Sequence, residues 1–236
     1  MIIPVVLANL VSLAMLLPKI MVTGEVVGAN LQAIFYRQGN VVTILGPFIF
    51  ALITGYVLAR EYSDRTINQL FTYPVSRMRI LTAKFFVIFT LIVVTTLLSC
   101  ASVIIVGVVK AFEGAASFDT LTSGMFMNLT VCLLAFGTIP LAAAVSMVAK
   151  NVIPTMVLGA FASFVTLILE LGHGMKAILF PWATPYLLVR EFGEGFAQTG
   201  ANPYTGTAIT ILIITFIVSL LFCLIYYHKS EVHSGS

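Results

Sequence analysis

Six stretches of this chain run without a single charged side chain: Met1–Pro18, Gln38–Ala59, Phe85–Val109, Thr120–Ala149, Asn151–Leu169 and Gly195–Tyr227. Each reaches or exceeds the roughly 18 apolar residues that a helix needs to cross the hydrocarbon core of a bilayer. None shows the strict polar–apolar alternation of a barrel strand. The pattern therefore predicts an all-α integral membrane protein with six transmembrane helices. Trimmed of polar margins, the spans fall at about 1–18, 40–59, 85–109, 124–148, 152–170 and 206–227, in one transmembrane domain over 1–236. Two connections are long: a charged loop over 60–84 and an extracellular or re-entrant segment over 171–205.

Composition excludes a water-soluble alternative. Charged residues make up 9% of the chain and hydrophobic ones 60%, against about 25% charged in ordinary soluble domains. A net charge of +3 does not suggest a nucleic-acid partner. Cys100, Cys132 and Cys223 all lie inside apolar runs, where a free thiol packs as a small hydrophobe, so no disulfide framework or metal cluster is expected. The first run lacks the basic lead and cleavage site of a signal peptide. Its abrupt start suggests a short cytosolic segment ahead of Met1, and the closing His-Ser-Gly-Ser reads as an appended scar.

Lys and Arg concentrate on the cytosolic side of membrane proteins. With both termini cytosolic, that side holds Arg60, Arg65, Arg77, Arg79, Lys84, Lys150 and Lys229, and the other holds Lys19, Arg37, Lys110, Lys176 and Arg190. Tyr56, Tyr62, Tyr226 and Tyr227 then flank inner helix ends, while Trp182, Tyr186 and Tyr204 sit at the outer interface, where amphipathic rings are favoured.

The 60–84 loop holds most of the cytosolic charge. Ser63 or Asp64 can cap a short helix, along which Ile67, Leu70 and Phe71 form one apolar stripe. Pro74 ends that helix, and Ser76 can cap the next, running through Arg79 and Lys84 into the third span. Two readings are open from the residues alone: an interfacial helix resting on lipid with basic anchors, or a docking helix seated in a cytosolic partner.

The stretch Glu61-x-x-Asp64-x-Thr66-Ile67-x-x-Leu70-x-Thr72-Tyr73-Pro74-Val75-Ser76-Arg77, with Lys84 downstream, resembles the coupling loop of ABC-2 type permeases. These are the membrane subunits of ATP-binding-cassette exporters. Asp64-Arg65 replaces the glycine that many members carry before the threonine. The resemblance extends over nearly the whole chain and leans towards the small permeases of bacitracin and lantibiotic self-protection exporters. It implies export of an amphipathic or hydrophobic cargo, a peptide antibiotic or a lipid, from the bacterial plasma membrane. It also implies a cytosolic ABC ATPase partner that binds ATP and Mg, and a second permease copy or homologous permease. Glu61, Thr66, Ile67, Leu70, Phe71, Pro74 and Arg77 would then form the ATPase-coupling interface.

The apolar run from Ala177 to Val189 is too short to cross and is broken by Pro181 and Pro185. Runs of this length are typically re-entrant or interfacial, and the resemblance makes Pro181, Trp182, Pro185 and Tyr186 outer-gate candidates. His173, between two glycines, has no second ligand nearby. Glu170, at the end of the fifth span, is expected to be solvated there. Pro140 should kink the fourth span and free a carbonyl for Thr138 or a neighbouring helix. Ala142, Ser146 and Ala149 share a face suited to close helix contact.

No phosphate loop, H-E-x-x-H or G-x-S-x-G motif occurs, so no catalytic site, cofactor or metal is expected in this chain. Two other classes stay in view: a non-transporting membrane subunit for assembly or sensing, and a stand-alone secondary transporter. The latter is disfavoured by span cores without ionisable groups.

Overall fold

A computed structural model of the chain describes residues 31–63, 76–111, 118–172, 174–189 and 202–229. The span expected over 1–18 and the short helix expected between Ser63 or Asp64 and Pro74 fall on residues 1–30 and 64–75, which lie outside the described residues. The elements are α1 (Leu31–Ser63), α2 (Arg77–Ala111), α3 (Phe118–Phe136), α4 (Ile139–Ala149), α5 (Val152–Leu171), a 3₁₀ helix η1 (Met175–Leu179) and α6 (Thr205–Lys229). No strand occurs among the described residues. Among the described residues, five stretches are long and apolar enough to cross a membrane: Phe35–Arg60, Met78–Ile105, Phe118–Ala149, Val152–Leu171 and Thr205–His228.

Helix edges differ from the sequence-based bounds where polar residues continue a helix beyond lipid. α1 begins before Gln38 and runs through Arg60, and α2 starts at Arg77, well ahead of Phe85. Ser76 holds the position before α2, its carbonyl accepting from the amides of Arg79 and Ile80. Lys84 lies within this helix, which the sequence reading runs from Ser76 into the third span, and is buried.

The fourth span is two helices. The turn at Gly137–Thr138 separates α3 from α4, because Pro140 has no N–H to continue the ladder. Thr138 Oγ1 donates to the Ala135 carbonyl at 3.0 Å, and Cys223 Sγ of α6 donates to the Pro140 carbonyl at 3.3 Å. α4 closes at Lys150 in the left-handed region (φ 51°), and the Asn151 side chain caps α5 by accepting from the Ile153 amide at 3.1 Å.

α1 is the hub, touching α2, α3, α4 and α5, while α6 packs on α4, α2 and η1. The α1–α5 seam is the closest. A Cβ placed on Gly159 would stand 2.6 Å from Ala51 Cβ and 3.0 Å from the Pro47 carbonyl oxygen, so only glycine permits this approach. The Phe48 amide, next to Pro47, donates across the seam to Ser163 Oγ at 3.1 Å. Ala142 and Ser146 of α4 are buried, and Ser146 Oγ donates to the Gly55 carbonyl at 3.4 Å.

The distribution of polarity is that of a protein solvated by lipid. α5 buries Thr155, Gly159, Ala162, Ser163, Thr166 and Glu170, while Ile153, Val157, Phe161, Phe164, Ile168 and Leu171 face outward. In water such an arrangement would be inverted; small inward residues and large outward ones are what close helix contact in a bilayer selects. Several hydroxyls inside the helices are satisfied locally, as where Thr54, Thr95, Thr96 and Thr215 each donate to the carbonyl four residues back.

Candidate functional site

Of the coupling residues expected from sequence, Thr66, Ile67, Leu70, Phe71 and Pro74 lie outside the described residues. Glu61 falls in the last turn of α1 and Arg77 opens α2, so both helix ends flank the 64–75 connection. The bundle there is closed by an apolar cluster that includes Leu58, Leu81, Ile88, Met147, Cys223 and Tyr227. The Arg60 guanidinium lies 5.6 Å from the centre of the Tyr56 ring.

The opposite end, the far end below, is built around residues 174–189. η1 leads into a turn and then a single helical turn over 186–189. Thr184, fully buried, donates from Oγ1 to the Ile178 carbonyl at 3.0 Å and so folds the segment on itself. Among the gate candidates, Pro181 and Trp182 are half-buried, Trp182 packing against Phe180 with ring centres 5.2 Å apart. Pro185 and Tyr186 are buried. Tyr186 was expected at an interface with water; instead it enters the cluster of Phe35, Val103, Met127, Val131 and Val189. The cause is the close approach at Gly39, where an added Cβ would meet Val189 at 2.9 Å. The segment thus wedges into the bundle against α1.

At the depth of Gly39 lies a level of buried polar side chains that a search for charges does not find. Gln38 Nε2 donates to Ser99 Oγ of α2 at 3.0 Å, and Asn128 Nδ2 donates to the Gly124 carbonyl at 2.9 Å. Gln38 Oε1, Asn40 Oδ1, Asn128 Oδ1 and Glu170 Oε1 are buried without a hydrogen-bond partner. Glu170 is only 6% exposed, contrary to the solvated acid expected, because it lies on the α5 stripe that faces α1. His173 lies outside the described residues, and no metal-binding group of three His, Cys, Asp or Glu occurs among the described ones. The signal was in the sequence: Asn128 interrupts an otherwise apolar run and Gln38 and Asn40 stand at the start of another, and amides in lipid need partners as acids do.

Between α4 and α6 runs an open groove lined by Leu141, Val145, Val148, Ile214, Val218 and Phe222. Its two hydroxyls are already engaged, Thr215 with the Ile211 carbonyl and Ser219 with the Thr215 carbonyl, so the groove presents hydrocarbon to whatever lies beside it.

The described residues form a helical bundle with several helices long and apolar enough to cross a membrane. Residues 1–166 match the family model described as ABC-2 family transporter protein, and the chain belongs to that family. It is similar to the bacitracin transport permease protein BCRB of Bacillus licheniformis, with 26% identity over 193 residues, which are 82% of this chain and 88% of the relative. No solved structure matches it.

Proposed function

We propose that this chain is the permease subunit of an ATP-binding-cassette exporter in a bacterial plasma membrane, with six spans and both termini cytosolic. The observation that carries the reading is its similarity, over 82% of its length, to a bacitracin transport permease, on a bundle whose outward surfaces are hydrocarbon. The cargo is an amphipathic or hydrophobic molecule, a peptide antibiotic or a lipid, for which the dry α4–α6 groove is a compatible surface. A separate ABC ATPase binds ATP and Mg and supplies the driving force, and a second permease copy or a homologue completes the pathway. The 60–84 loop is the coupling element: Glu61, Thr66, Ile67, Leu70, Phe71, Pro74 and Arg77 face the ATPase, and its arginines meet acidic partner side chains or lipid headgroups. The 174–189 wedge, with Pro181, Trp182, Pro185 and Tyr186, forms the outer gate.

The test is purification from the native host in mild detergent. A stoichiometric nucleotide-binding subunit should accompany the wild-type chain. Leu70→Asp and Phe71→Asp, which put a charge in the apolar stripe, should insert normally and lose that subunit. Normal recovery of the complex with both variants would refute docking through this loop.

A further inference from the structure

The α1–α5 seam ends in oxygens that have no hydrogen-bond partner among the described residues. α1 and α5 run antiparallel, with Gly55 against Thr155, Ala51 against Gly159 and Phe48 against Ser163. Asn40 lies eleven residues before Ala51, and Glu170 eleven residues after Gly159. Eleven residues are about three helical turns, so both residues stay on the contact face and come level with each other. Thr166 lies one turn below Glu170 on the same stripe.

Asn40 Oδ1, Glu170 Oε1 and Thr166 Oγ1 are all buried without a hydrogen-bond partner. Thr166 is fully buried, yet it lacks the bond to its own helix that Thr43, Thr54, Thr95 and Thr96 make. An unpaired carboxylate out of water is among the costliest groups to bury. The elements packed on α5 are α1, α4 and η1. At this end they offer Tyr36 and Arg37 on α1 and Lys176 on η1, while α4 has no titratable side chain. Lys176 is exposed and lies 6.0 Å from the Tyr204 ring centre, and Arg37 forms no ion pair with Glu170.

We propose that Glu170, Thr166 and Asn40 form a site for a hydrogen-bond-donating cation, which arrives either as a proton from solvent or as an ammonium group carried by the cargo. A proton on Glu170 gives an O–H able to donate to Asn40 Oδ1, and a turn of the Thr166 side chain towards the acid would bring its O–H to the remaining oxygen. An ammonium group instead presents three N–H donors to the three oxygens. The seam's close packing admits only a small group, and η1, which touches both α5 and α6, lies over the approach. That the approach is from outside rests on the orientation proposed above; the site itself does not.

The decisive measurement is infrared difference spectroscopy of the purified full chain in nanodiscs, wild type minus Glu170→Gln, which needs neither ATPase nor transport. A carboxylic-acid carbonyl band at neutral pH, unchanged by dodecylammonium, shows a proton in the site. A band pair that moves with dodecylammonium and not with dodecanol shows an ammonium. Carboxylate bands indifferent to both would mean that neither a proton nor an ammonium fills the site and would overturn the proposal, and their shift in Arg37→Gln would assign the role to the chain's own guanidinium. So would the absence of any band assigned to Glu170 together with unaltered spectra in Asn40→Leu.

Discussion

Single residues in this bundle act mainly by setting how closely helices approach. Gly159 is the sharpest case, and Gly159→Ala should cost about 1–3 kcal/mol, as over-packing of a tight contact does. Gly206→Ala is the matched control: an added Cβ there meets nothing within 4 Å, and alanine favours the helix over glycine. Thermal unfolding of the two purified variants in one detergent checks this, with a lowered midpoint expected only for Gly159→Ala. Small residues at helical spacing announce the packing face at Ala142 and Ser146, which are buried, whereas Ala149 of the same face is half-buried and lines the α4–α6 groove. Sequence reading missed the same signature at Thr155, Gly159, Ala162 and Thr166, and with it the buried position of Glu170. Glu170 stands at a helix end, but its helical phase decides its surroundings.

Among the elements, the break between α3 and α4 was legible in part. Pro140 announced a kink, but a break two residues long depends on the fit of Gly137 against Leu212 of α6, where an added Cβ would stand 2.8 Å away. Nothing local encodes that fit. Pro140→Ala restores an N–H able to bond the Phe136 carbonyl, so amide hydrogen exchange across 134–142 should slow relative to wild type. Unchanged exchange would assign the break to the Gly137 contact instead of the proline. The 174–189 wedge was similarly half-readable: its prolines and length showed that it does not cross, whereas its burial against Gly39 comes from tertiary packing.

For the molecule as a whole, the charge-free runs were enough to define a helical membrane bundle. The far weaker Lys and Arg bias carries the orientation. In a background without the three native cysteines, Pro203→Cys should react with a membrane-impermeant maleimide in intact cells, and Ser76→Cys only after the membrane is opened. Both positions are exposed, so the reverse labelling would turn the molecule over and with it the side from which the wedge is reached.

The bond from the Phe48 amide to Ser163 has a consequence for how the chain is made. α1 leaves the ribosome long before α5, yet the donor beside its proline finds this acceptor 115 residues later. Until α5 is delivered, a polar group near the middle of α1 has no such partner in lipid. The bond across the seam therefore forms only after α5 has been delivered. Loss of the Ser163 hydroxyl would then be felt first as slow maturation and turnover of newly made protein, ahead of any defect in the molecules that finish.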